Sequence, residues 1–402
     1  MGPERSLALR SIVRRYYGFQ IFFALLFWIP IHYEFQRRIG LSDASIFEIQ
    51  SIYYLAFCLL QVPTGLFSDK VGHLRSMRLG TVALVASSAL PVFAPSHAGM
   101  LWHFVLLALA RAFVMGPSSA YLYVQLAELG DTDDFKIVEG RARAYGLLAK
   151  LVSWAAVGFM LEWHWSAPYW ATTAASLLAG AYAWALPPAR VRSAPTSTRS
   201  LELGGALGVF RAKPMLGLVM LQGVAIFVIG RVVQTNLFQP ILGERGYPVE
   251  AYGLVMAAMA LFEAGGSAFP QAIRKWLSDL DAVFVLSVLT AFTLSAIALS
   301  GPVGGFVALA IFSFATGLAY PIQRQLVSDT IPDERYRATL LSLESIVDRG
   351  VNAWVVIYLA DFVATGRMGE LLHIAAAITV VVMLALQIGA RLLARRERSL
   401  AR

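Results

Sequence analysis

The chain has 402 residues, of which 58% are hydrophobic and only 14% charged, with a mean hydropathy of +0.64. Soluble domains carry about a quarter charged residues, so this composition excludes an ordinary soluble protein and points to a bilayer. The net charge of +8 admits a nucleic-acid or anionic-surface partner until the placement of the basic residues is considered.

Twelve apolar stretches are long enough to cross the roughly 30 Å hydrocarbon core, which takes about 20 helical residues. In chain order they are 16–37, 44–67, 77–95, 99–127, 137–162, 166–187, 214–242, 250–273, 281–300, 303–328, 336–362 and 370–392. The first follows Arg10, Arg14 and Arg15 but is too long for a signal peptide and lacks a small-residue cleavage site, so it reads as a retained helix. Between the sixth and seventh stretches, Pro187-Pro188, Pro195, Arg190, Arg192 and Arg199 break the rhythm and mark a linker. Its later part, Leu201 to Phe210, suits a short helix on the membrane surface. The expected organisation is a first six-helix bundle at 1–187, a linker at 188–213 and a second bundle at 214–402.

Twelve crossings put both termini on one side. Of the 33 Lys and Arg residues, 25 lie in or beside the segments on that side, against four in the opposite loops and four within spans. By the positive-inside rule the rich side is cytoplasmic, which places both termini inside a cytoplasmic membrane and leaves no concentrated patch for nucleic acid. Cys58, the only cysteine, lies within the second span, so no intrachain disulfide forms.

The run Gln61 to Arg75 carries the strongest motif. Gly65, Asp69, Lys70 and Gly72, at the end of the second span, resemble the G-x-L-a-D-r-x-G-r loop motif of the major facilitator superfamily of transporters. The two glycines are expected to allow close approach of helices and backbone. The stretches Glu128 to Arg143 and Ile331 to Leu343 resemble a prokaryotic permease branch of that family. The resemblance implies an all-α integral membrane fold of two pseudo-symmetric six-helix bundles. It also implies a conformational latch, with Asp69 at a helix N-terminus as its anion. In this sequence His73 stands where the family has an arginine, leaving Arg75 or Arg78 as the partner of Asp69. Internal symmetry adds weak support: 143–150 aligns with 337–344, and 60–67 with 262–269.

A charge at bilayer depth costs at least about 2.5–3.5 kcal/mol, so each one is a functional candidate. Glu263, amid Ala, Leu, Phe and Gly, is a candidate proton carrier. Glu344, Asp348 and Asn352 are four apart and form one polar stripe, with Arg349 beside it, that lines either a cavity or an interhelical ion-pair network. Asp348, deeper than Glu344, is the better coupling candidate of the two. Arg111 is a further coupling candidate through the resemblance, although it lies five residues before Gly116 where the family's spacing is four. Arg231 and Gln234 can hold an anionic substrate, or Arg231 can pair with a membrane carboxylate such as Glu34 or Asp348. Gln20, Phe27 and Glu34 recur at helical spacing in the aromatic-rich first span and can line a substrate cavity, the rings serving otherwise as packing or interface anchors.

No phosphate-cradling glycine loop and no metal-spaced His or Cys cluster occurs, so neither ATP-driven transport nor a cofactor is expected. The expected function is secondary transport of a small, amphipathic organic molecule by a monomer working with protons, as efflux. Proton-coupled or facilitated uptake is the alternative, and a non-transporting sensor on the same fold is the reading from a different class.

Overall fold

The computed structural model describes residues 3–188, 208–209, 213–332 and 337–400. The expected linker and surface helix, and residues 333–336 of the later permease-like stretch, lie outside the described residues. Elsewhere the chain is helical. The first half contains α1 (Pro3–Ala24), α2 (His32–Arg38), α3 (Asp43–Val71), α4 (His73–Phe93), α5 (His97–Glu128), α6 (Phe135–Ala155), α7 (Val157–Trp163) and α8 (Ala167–Ala185). The second contains α9 (Pro214–Arg231), a π-helical segment (Val232–Leu237), α10 (Phe238–Glu244), α11 (Tyr252–Ala268), α12 (Gln271–Arg274), α13 (Asp279–Leu299), α14 (Pro302–Thr330), α15 (Arg337–Ala364) and α16 (Met368–Leu400).

Among the described residues nine helices or helix runs are long and apolar enough to cross a bilayer, ten when the pair α6 and α7, bent by 41°, is taken as one span. The other two of the twelve expected spans are α8, diluted by Thr, Tyr and Trp, and α15, which carries Glu344, Asp348 and Arg349. That α15 is too charged for an ordinary crossing is the first structural sign that its side chains have work other than packing.

Local chemistry sets the helix starts. The side chains of Ser42, Ser96 and Ser278 accept hydrogen bonds from the backbone amides of Ser45, Gly99 and Asp281, capping α3, α5 and α13. Gly72 alone separates α3 from α4, and its φ of +100° is the reason a glycine stands there.

The chain divides into two compact units, one comprising Met1–Thr198 and Val249–Ala257, the other Arg199–Pro248 and Ala258–Arg402. The first is centred on Tyr16, Phe19, Met77, Tyr121 and Leu122, all buried. In the second, α11 and α14 meet backbone to backbone: a side chain at Gly317 would strike the carbonyl of Glu263, and one at Gly266 the carbonyl of Phe314. Such small-residue seams are how helices pack closely in lipid.

Two expectations are corrected here. The first span is not one helix. α1 ends at Ala24, the chain turns, and α2 begins at His32, with the freed amide of Phe27 donating to Thr172 Oγ1 at 3.0 Å. Gln20, Phe27 and Glu34 therefore share no continuous helical face. Most of the aromatics of this segment are core, with Trp28 stacked on Tyr169 and edge-on to His103. Gly65, moreover, makes no close approach, since the space around it is open and α3 runs on past it to Val71.

Candidate functional site

Three helices of the second unit carry polar and aromatic stripes at four-residue spacing: Gly223, Phe227 and Arg231 on α9; Thr316, Tyr320 and Arg324 on α14; Glu344, Asp348 and Asn352 on α15. Four-residue spacing keeps each set on one helical face. Because α14 runs opposite to the other two, the stripes match level by level. At the first level, Arg324 Nη1 donates to Glu344 Oε2 at 2.7 Å and Gln323 Nε2 to the carbonyl of Val219 at 2.7 Å. Gly223 leaves room for this, since a Cβ there would lie 2.7 Å from the Gln323 amide and 2.8 Å from Glu344 Oε1. Next, the rings of Phe227 and Tyr320 lie 5.4 Å apart, and the Arg324 guanidinium sits 5.0 and 5.6 Å from their centres. Beyond them Arg231 Nη2 donates to Asp348 Oδ2 at 2.8 Å, with Arg349 Nε 3.7 Å from the same oxygen. At the last level Gln234 Nε2 donates to Thr316 Oγ1 at 3.2 Å.

Burial makes these contacts consequential. Asp348 and Glu344 have side chains only 8% and 1% exposed, and an uncompensated charge there would be costly. Of the two roles open to the Glu344, Asp348 and Asn352 stripe, the ion-pair network is present. Yet it is incomplete, because Asn352 is fully buried with neither amide atom hydrogen-bonded among the described residues, and Asp348 Oδ1 and Glu344 Oε1 are likewise unpartnered. Buried polar atoms of this kind call for a partner such as water or a bound molecule. Arg231 stands where α9 gives way to the π-helix. The cause is close at hand, since Pro240 can donate no hydrogen bond to the carbonyl of Asn236 and its ring crowds that turn. Widened turns of this type recur at functional sites.

The first unit holds a different cluster. Tyr16 Oη donates to Glu139 Oε2 at 2.8 Å, Ser119 Oγ to Glu139 Oε1 at 2.5 Å, and Gln20 Nε2 to Tyr16 Oη at 2.8 Å, while Arg143 lies 3.5 Å from the carboxylate. Arg111 donates to Tyr53 Oη at 3.0 Å.

The expected residues therefore fall into groups. Arg231, Gln234, Glu344, Asp348 and Asn352 come together, and Arg231 pairs with Asp348 rather than Glu34. Gln20 belongs to the Glu139 network, and Arg111 stands apart on Tyr53. Glu263 is half-buried on α11 beside Gly317. At the expected latch, Asp69 and Arg75 are exposed, and His73 Nδ1 is 2.9 Å from Ser68 Oγ across the turn. Arg78 is no partner for Asp69. It donates to the carbonyls of Ala183, Trp184 and Leu186, each at 3.2 Å, and so caps the C-terminal end of α8. Sequence reasoning missed Glu139, Tyr16, Ser119, Gln323 and Arg324. The signal for Arg324 was its place four residues after Tyr320 and eight after Thr316, and for Glu139 its i,i+4 relation to Arg143.

A family model described as Major Facilitator Superfamily matches residues 12–347. The chain belongs to the Major Facilitator Superfamily. It is a multi-pass membrane protein of a transporter family, not an enzyme. Among solved structures, the nucleoside transporter NupG superposes with a TM-score of 0.79 at 14% identity, covering 94% of this chain and 98% of that one. A bacterial homologue of the human lysosomal transporter Spinster, in an inward-facing and occupied conformation, gives 0.70 at 15%, covering 98% of each chain. A D-xylose–proton symporter gives 0.69 at 13%, covering 94% and 96%. No curated protein sequence matches. At these identities the likeness is one of fold alone.

Proposed function

We propose that this superfamily member is a proton-coupled secondary transporter of a small organic anion, with Asp348 as the proton site and Arg231 as the group that alternates between Asp348 and the anion. The observation that carries the reading is the buried Arg231–Asp348 pair at the π-helical break, with the unpartnered amide of Asn352 one turn along the same face. Three arginines, 231, 324 and 349, here face two carboxylates, 344 and 348, which leaves an excess of one positive charge. An anion is therefore the matching cargo, and an arginine fork beside an amide suits a carboxylate.

Linkage then sets the direction. Protonation of Asp348 frees Arg231, so a proton and an anion each promote binding of the other, and by reciprocity they bind together. That is symport, the reverse of the efflux expected from the sequence. A cationic cargo would instead compete with the proton for the carboxylates and give antiport. The charge asymmetry of the loops supports cytoplasmic termini in a cytoplasmic membrane.

The test is purified full-length protein in vesicles loaded with a pH-sensitive dye, exposed to a panel of small organic anions. Anion-dependent acidification of the lumen is expected, and Asp348→Asn should abolish it while leaving anion counterflow intact. Concentrative, pH-driven uptake that survives Asp348→Asn would remove Asp348 from the coupling role, and alkalinisation would reverse the direction.

A further inference from the structure

We infer that the site in the second unit selects a flat aromatic anion, with Phe227 and Tyr320 as its stacking surface and Arg231 as the anchor for its charge. This rests on the reading of that site as the substrate site. Phe227 is one helical turn from Arg231 on α9, and Tyr320 one turn from Arg324 on α14. Both rings therefore share the face of the charged stripes, and a face carrying Arg231, Arg324 and Asp348 does not turn to lipid. Tyr320 is not core filling, being 51% exposed, while Phe227 is half-buried with part of its ring against the core of the second unit, and no other ring is placed against either among the described residues.

Their arrangement is held in place. The two rings are tilted by 47° at 5.4 Å, and the Arg324 guanidinium lies against both. Glu344 Oε2, held at 2.7 Å, keeps that guanidinium from leaving. A third ring on this pair gains the quadrupole interaction that aromatic partners and a nearby cation provide, which a saturated ring of the same size does not. One turn away Arg231 meets a carboxylate, and Asn352 has both a donor and an acceptor unused for a ring heteroatom or hydroxyl. A polar sugar or a branched aliphatic acid would leave the rings without a partner of their own kind.

The experiment compares 2-naphthoate, its saturated counterpart decalin-2-carboxylate and the uncharged 2-naphthamide by calorimetry on full-length protein in lipid nanodiscs. The wild type should bind 2-naphthoate about tenfold more tightly than the saturated acid, the equivalent of about 1.4 kcal/mol, and 2-naphthamide more weakly than either. In Tyr320→Leu and Phe227→Leu the ratio between the two acids should fall towards one, while Tyr320→Phe, which keeps the ring, should preserve it. Equal affinity for both acids in the wild type, no binding of either, or a ratio untouched in both leucine variants would overturn the inference. If both acids bind equally and both acidify vesicles, symport stands and aromatic selection falls. If naphthoate binds selectively but moves no protons, the opposite holds.

Discussion

The polar clusters of the two units hold their carboxylates in different ways. In the first, Glu139 accepts from two hydroxyls, Tyr16 and Ser119, with Gln20 behind Tyr16, and its nearest cation, Arg143, is mostly exposed. In the second, Glu344 and Asp348 are held by arginines on neighbouring helices. A carboxylate held by neutral hydroxyls keeps its neighbours whether it carries a charge or not. One held by a buried arginine does not, because neutralising it releases the cation. On the proposed reading the two units divide labour: the second supplies the element with two states, and the first a carboxylate that keeps its partners.

Arg231→Met removes the one arginine hydrogen-bonded to buried Asp348, leaving only Arg349 at 3.7 Å from the same oxygen, and should cost about 3 kcal/mol of stability. The double variant Arg231→Met, Asp348→Leu should recover most of that in thermal unfolding and remain inactive in transport. If the double variant is as unstable as the single one, the pair is not the unit of electrostatic balance. In the first unit, Tyr16→Phe removes one hydrogen bond to a carboxylate and should cost about 1.5–3 kcal/mol, with proton coupling retained. Loss of coupling there would erase the proposed division of labour.

How far the site could be read in advance follows from the same chemistry. The spans were legible because twenty apolar residues in a row have few other uses. The stripe on α15 was legible because Glu344, Asp348 and Asn352 lie within nine residues of one another. The partner of Asp348 lies 117 residues away, and helical periodicity carries no information across that gap, so Glu34 and Asp348 stood as equal partners for Arg231. The break in the first span had one local signal, Pro30, which lies between Ala24 and His32 and has no amide to donate; the contact that stabilises the turn, from Thr172 on another helix, had none. Glu139 lies in the permease-like stretch Glu128 to Arg143, where nothing in the local sequence gives it a role, and only the fold brings Tyr16 and Ser119 to its oxygens.

The glycines sharpen the contrast at smaller scale. Gly317→Ala in the second unit drives a methyl into the carbonyl of Glu263, and backbone cannot move aside as a side-chain end can. A loss of about 1–3 kcal/mol is expected in thermal unfolding. Gly65→Ala in the first unit should do the reverse. Gly65 lies within the helical run of α3 with nothing within 4 Å of a Cβ placed there, so an alanine adds helix propensity and meets no neighbour. The expected gain is about 0.4–1 kcal/mol, mostly through the reduced freedom of the unfolded chain. Transport supplies the second measurement. If Gly65 is needed for a close approach in another state of the cycle, Gly65→Ala will raise the unfolding temperature and lower the turnover rate together. If it is an ordinary helix position, stability will rise and turnover will hold. A loss of stability in this variant would instead mean that the open space around Gly65 is filled in the state that dominates in solution.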